Sequence, residues 1–250
     1  MLNKIILIAG PTASGKSKLA IEIAKKIKGE IINADSMQVY KEFSILSSRP
    51  SKIDLKKVKH HLYGFQSVKK YFSSGTWLKL VKKKINQCLK NKKIPILVGG
   101  TGLYFEAITK GMSKIPNIDF KMRDKIRDLQ KRIGQNKFYK KLLELDPMVK
   151  NKIEPFDAQR SIRAYEVKKF TKKSIFEWYE LTESEFKQFK IFKIFIDVPR
   201  ETLLKKISSR ADQMFKNNCI KEVKKFLKLN IKSSLSANKI IGVQEIKDHL

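Results

Sequence analysis

The run Gly10-Pro11-Thr12-Ala13-Ser14-Gly15-Lys16-Ser17 carries the plainest chemistry in the sequence. It is a complete GxxxxGK[ST] pattern between an apolar run and a helical one, the context in which it forms a phosphate-binding loop. Its glycines let the backbone turn so that successive N–H groups and the helix N-terminus face phosphate oxygens. Lys16 adds a point charge for the terminal phosphates, and the Ser17 hydroxyl is placed to ligate Mg²⁺. The pattern calls for a di- or triphosphate, ATP included, without saying which.

Three further groups could act at the same place. Asp35 follows the apolar Glu30-Ile31-Ile32-Asn33 and reads either as a turn or helix-capping residue or as a general base or metal-shell carboxylate. Thr101 lies in Gly99-Gly100-Thr101-Gly102, where a nucleoside kinase would typically carry a magnesium-binding acid. No acid stands there, which argues against ordinary ATP-driven phosphoryl transfer and for a hydroxyl and exposed backbone close to a substrate. Arg210 is one of only 8 arginines beside 47 lysines. Scarce arginines merit attention because planar, bidentate phosphate contact suits them better than lysine. Arg123, Arg160 and Arg163 are others, with Arg160 and Arg163 three apart on one helical face beside Gln159.

The elements that must position these groups alternate. Lys4–Ala9, Glu30–Asn33, Ile94–Val98 and Ile191–Val198 read as strands, the first three ending in a polar or Gly-rich turn and the fourth at Pro199, where a long helical run begins. This predicts an α/β fold with a P-loop NTPase-like parallel sheet, helices on both faces and the ligand site at the carboxyl ends of the strands. That core takes residues 1–111 and 190–250. Residues 112–189 show helical spacing alone, as at Met122, Ile126, Leu129 and Ile133, with helix starts expected at Asp146-Pro147 and Asp157. They read as an all-helical insertion.

Composition bounds the rest. The chain has 250 residues, 42% of them hydrophobic, which excludes disorder, and a formal charge of +31 that favours an acidic partner. The charge is spread: residues 1–110 hold 22 basic and 6 acidic groups, and residues 111–250 hold 33 and 18. Lysine excess of this kind fits coding bias as well as polyanion binding. The twelve lysines of residues 55–95 read as a solvated face. Cys88 and Cys219 belong to no metal-binding spacing and read as inert buried thiols. No run approaches the roughly 20 apolar residues of a membrane span, and the N-terminus leads directly into the P-loop, so a cytoplasmic protein without membrane association is expected. On these residues alone a small-molecule kinase and a non-catalytic RNA-binding protein remain open.

Taken together, GPTASGKS, ADSMQVY, KHHLYGF, ILVGGTGLY, DAQRSIRAYEV and RADQMF, in this order, resemble the tRNA dimethylallyltransferase family across residues 5 to about 245. The resemblance implies that the P-loop (Gly10, Pro11, Thr12, Ala13, Ser14, Gly15, Lys16 and Ser17) holds the pyrophosphate of dimethylallyl diphosphate. N6 of adenosine 37, in tRNAs reading codons that begin with U, displaces it. Asp35, Thr101 and Arg210 are implied as catalytic, with Mg²⁺ on Ser17 as cofactor. The base would be extruded from the anticodon stem-loop. Contacts to tRNA would come from Asp35, Ser36, Met37, Gln38 and Thr101, and in the insertion from Arg123 and Gln159, Arg160, Ser161, Ile162 and Arg163. A monomer is implied, and a structural or lid role for His60 and His61.

Overall fold

The computed structural model describes residues 3–250, and the chain divides into two compact units, with boundaries after Thr109 and after Glu185. The α/β unit contains β1 (Lys4–Ala9), α1 (Lys16–Ile27), β2 (Gly29–Asn33), α2 (Lys52–Lys57), β3 (His60–His61), α3 (Ser74–Lys90), β4 (Ile94–Gly99) and α4 (Gly102–Thr109). The helical unit contains α5 (Phe120–Ile133), α6 (Gln135–Leu145), α7 (Ala158–Thr171) and α8 (Ile175–Glu180). The chain then returns to the α/β unit as β5 (Lys190–Phe195), α9 (Arg200–Lys216), α10 (Cys219–Leu227) and α11 (Val243–His249).

The five strands form one parallel sheet in the order β3-β2-β4-β1-β5. Successive strand side chains point to opposite faces, so continuous apolar runs supply two cores. Ile5, Leu7, Ile32 and Leu97 pack with Trp77, Val81 and Ile85 of α3, whereas Ile8, Ile31, Ile96 and Val98 pack with Ala20, Ile21 and Ala24 of α1. The expected doubly covered sheet is therefore present. Trp77 also stacks on Tyr104 of α4 at 3.8 Å between ring centroids, and its indole N–H donates to the Asn33 carbonyl at 2.9 Å. This contact fixes the end of β2, from which Asp35 projects.

Two expectations about elements change. The strand expected over 191–198 runs instead from Lys190 to Phe195 and forms the sheet edge, where Phe192 and Phe195 are exposed. The backbone keeps one further bond, Ile196 N–H to Ala9 O, before Pro199, which has no N–H, stands at the N-cap of α9. Asp146-Pro147 opens only a three-residue 3₁₀ turn, Pro147–Val149, and the Asp146 side chain caps nothing. Asn151, at φ 61°, ends the run after one turn. Asp157 does cap α7, accepting the Arg160 N–H at 2.9 Å. The helical unit has its own core of Ile118, Leu142, Val149, Ile153, Ala164, Val167 and Ile175.

Sequence periodicity gave no sign of β3, which has only two residues. A buried polar contact holds this edge: His61 Nε2 lies 2.6 Å from Glu30 Oε2 on β2. The Cys88 thiol of α3 donates to the same carboxylate oxygen at 3.5 Å, and burial, then the Glu30 charge, pushes that thiol up to about 12. At neutral pH Cys88 is thus a protonated, buried thiol. His61 is buried and ties β3 to β2 through this contact.

Candidate active site

The carboxyl ends of β1, β2 and β4 open into a cleft of roughly 530 Å³. Its floor is the P-loop. Gly10, at φ 154°, lies so close to the neighbouring turn that a Cβ there would stand 2.8 Å from the Ile196 carbonyl, and Gly15, at φ 93°, occupies the left-handed region just before α1. Lys16 turns back over the loop, donating from Nζ to the Gly10 carbonyl at 2.9 Å and to that of Pro11 at 2.5 Å. Burial lowers the Lys16 pKa; Asp35 opposes the shift and Arg210 adds to it.

Arg210 reaches the same loop from α9, its guanidinium donating to the Thr12 hydroxyl at 3.2 Å. Burial lowers its pKa too, while the Asp35 charge raises it. Two cations and one carboxylate therefore share a single electrostatic neighbourhood over the loop.

The Asp35 backbone N–H donates to Asn33 Oδ1, and its own Oδ1 accepts the Met37 N–H, both at 2.9 Å. It is a turn former whose carboxylate also lines the cleft, so both sequence readings describe it. The Thr101 hydroxyl accepts the Ser36 N–H at 2.9 Å and donates to the Ser36 hydroxyl at 3.3 Å, joining the ends of β4 and β2. A Cβ on Gly99 would fall 2.0 Å from the Ala34 carbonyl, so this glycine's closest approach is to the neighbouring strand end. Gly100 and Thr101, next in the same turn, line the cleft beside the P-loop, and Gly100 is exposed.

The cleft offers oxygen donors from Ser17 and Asp35, and neither cysteine nor histidine is among the described residues that line it. That donor chemistry suits a hard cation such as Mg²⁺.

A P-loop with two converging cations marks a diphosphate or triphosphate site and leaves the reaction undecided. The sequence profile of the family described as IPP transferase matches residues 38–250. The chain belongs to that family. It is 56% identical to the tRNA dimethylallyltransferase of Pelagibacter ubique (strain HTCC1062), over 99% of this chain and 79% of the relative. It is 43% identical to that of Rickettsia felis (strain ATCC VR-1525 / URRWXCal2), over 99% and 81%. Among solved structures, a eukaryotic dimethylallyltransferase acting on tRNA superposes with a TM-score of 0.83 at 26% identity, over 99% of this chain and 63% of that one. The full-length tRNA isopentenylpyrophosphate transferase of Bacillus halodurans gives 0.66 at 29%, over 99% and 77%. The protein is a prenyl transferase.

The other residues that the IPP transferase resemblance singled out divide by location. Ser36, Met37 and Gln38 continue the Asp35 turn, and the Gln38 amide donates to the carbonyls of Ser47 and Ser48 at 2.9 and 3.1 Å. In the helical unit, Arg123 and Arg163 pair with Glu166 at 3.2 and 3.4 Å, and Arg127 approaches its other oxygen at 3.9 Å. Glu166 is buried, so three scarce arginines gather on one carboxylate. Arg160 is exposed and pairs with Asp157 at 3.1 Å. Gln159 is exposed and Ile162 half-buried. Ser161 is fully buried, and its hydroxyl accepts from the Gln135 amide at 3.1 Å, so its place is in the packing of this unit.

Sequence reasoning missed Glu166, which sits one turn beyond Arg163 and could have been found as its i,i+3 partner. It also missed Tyr63, a lining residue whose hydroxyl burial pushes upward in pKa.

Proposed function

We propose that the protein transfers the dimethylallyl group of dimethylallyl diphosphate to N6 of adenosine 37 in the anticodon stem-loop of tRNAs reading codons that begin with U. The observation that carries this reading is the convergence of Lys16, Arg210 and Asp35 on one P-loop cleft. The N6–C1 bond forms as the C1–O bond breaks, its electron pair leaves on pyrophosphate, and one N6 proton must be removed. Lys16 exchanges the Gly10 and Pro11 carbonyls for phosphate oxygens, and Arg210 faces the same anion. Both stabilise charge that grows on the leaving group, the kind of interaction that most lowers such a barrier. Asp35, with one oxygen held by the Met37 N–H, orients the amine and accepts its proton. Thr101, through Ser36, holds the turn that carries Asp35. Mg²⁺, held by Ser17 with Asp35 nearby, would further neutralise the pyrophosphate.

The Asp35–Gln38 turn and Thr101 meet the extruded base. Arg123, Gln159, Arg160, Ile162 and Arg163 grip the RNA, with Ser161 supporting α7 from beneath. The enzyme acts as a monomer in the cytoplasm; among the described residues no helix is long and apolar enough to cross a membrane. Incubating the purified protein with tRNA, labelled dimethylallyl diphosphate and Mg²⁺ tests the reading. Label transferred to adenosine 37 without ATP supports it; ATP consumption without prenylation would overturn it.

A further inference from the structure

One wall of the cleft is formed by Leu46, Ser47 and Ser48, in the irregular segment that follows Phe43. A short polar segment of this kind needs partners for its backbone, and it has them on both sides. Its carbonyls at 47 and 48 accept from Gln38. Its N–H groups converge on one carboxylate from α10. Glu222 Oε1 accepts from the N–H groups of Ser44 at 2.6 Å and Ile45 at 2.9 Å and from the Ser44 hydroxyl at 3.1 Å, while Oε2 accepts from the Leu46 N–H at 3.0 Å.

Three successive N–H groups aimed at one point form an anion-binding nest. Here a residue nearly 180 positions away in sequence fills it. The consequence lies at Leu46, whose side chain meets Gly242 so closely that a Cβ there would stand 3.0 Å from Leu46 Cδ2. Gly242 follows Ile240 and Ile241, which line the cleft with Leu46. The nest therefore sets the position of the apolar part of the cleft and touches none of the residues assigned to the phosphates.

We propose that Glu222 is a positioning residue for the prenyl chain: by filling the Ser44–Leu46 nest it holds Leu46 in register with Ile240 and Ile241. This rests on the proposed prenyl transfer. A glutamine keeps the length but turns an NH₂ toward one of the three N–H donors, so Glu222→Gln loosens the wall. Glu222→Asp keeps the charge on a shorter stem.

The test measures steady-state prenyl transfer together with inhibition by inorganic pyrophosphate, which has no prenyl chain. Glu222→Gln should raise KM for dimethylallyl diphosphate about tenfold, with kcat within about threefold and pyrophosphate inhibition unchanged; Glu222→Asp should recover part of the loss. Leu46→Ala should reproduce the KM shift with the nest intact, which keeps the test open if Glu222→Gln fails to fold. An unchanged KM, or equal weakening of substrate and pyrophosphate, would overturn the inference. Absence of prenyl transfer by the unaltered protein would instead overturn the reading on which it rests.

Discussion

Arg210 and Thr12 are 198 residues apart in sequence, and the guanidinium of one donates to the hydroxyl of the other at 3.2 Å. The bond carries α9 across to the P-loop and places a second fixed cation beside Lys16. A lysine at 210 would keep the charge but lose the planar fork that can hold Thr12 and a phosphate oxygen together. Arg210→Lys should lower kcat/KM for prenyl transfer by about 10- to 100-fold, in line with losing one charge-assisted contact to the leaving group. Kinetics with saturating tRNA and varied dimethylallyl diphosphate check this, and a loss under twofold would remove the fork from the mechanism.

In the proposed reaction Asp35 combines a turn with a base, and the two roles can be separated. An asparagine still offers Oδ1 to the Met37 N–H, so Asp35→Asn should keep the turn and the fold. It cannot accept the N6 proton. The expected result is a fall in kcat of roughly 10²- to 10⁴-fold, the range for a general base, with tRNA affinity within about threefold. Single-turnover rates and filter binding provide the two readouts; a normal rate would leave Asp35 as a turn residue alone.

What could be read along the chain and what could not divide by the range of the interaction. The P-loop, the Asp35 turn and the strand-to-turn alternation are local patterns, and four of the five strands were visible as apolar runs, the two-residue β3 being the exception. The partners that fix the site are not local. Glu222 meets Ser44–Leu46, Glu30 meets His61, and Trp77 meets the Asn33 carbonyl through folds that bring distant segments together. No periodicity marks such pairs. Glu166 was hidden differently, since beside Arg163 in a charged helix it looks like one more solvated acid until burial shows otherwise.

The Glu30–His61 pair makes an acid-side prediction. Burial outweighs the Glu30 interaction and lowers the His61 pKa below the ordinary 6.5, and burial lowers His60 in the same direction. The unfolded chain then binds protons more readily than the folded one, so stability falls as pH drops through 6.5 toward the depressed values. Burial would raise Glu30, but its bonds from His61 and Cys88 and the nearby His61 and Lys59 charges bring it below 4.5, so its contribution is lost at still lower pH. Melting temperature should decline from pH 7 to pH 5, and His61→Asn should flatten the slope. An equal slope in the variant would place the acid sensitivity elsewhere.

Arg160 and Arg163 share a face of α7 but should respond differently to truncation. The Arg160 side chain is 73% exposed beside Asp157, whereas that of Arg163 is 35% exposed on the buried Glu166. Removing Arg160 deletes a surface cation with little effect on folding. If it meets an RNA phosphate, Arg160→Ala should reduce the slope of log affinity against log salt by about 1, with the urea midpoint unchanged. Arg163→Ala should also weaken RNA binding, but it deprives Glu166 of one of its cations. A stability loss on the order of 1–2 kcal/mol should therefore accompany it, cushioned by Arg123 and Arg127. Paired salt titrations and urea melts separate the two. A stability loss in Arg160→Ala equal to that in Arg163→Ala would contradict the division of labour between the exposed and the clamped arginine.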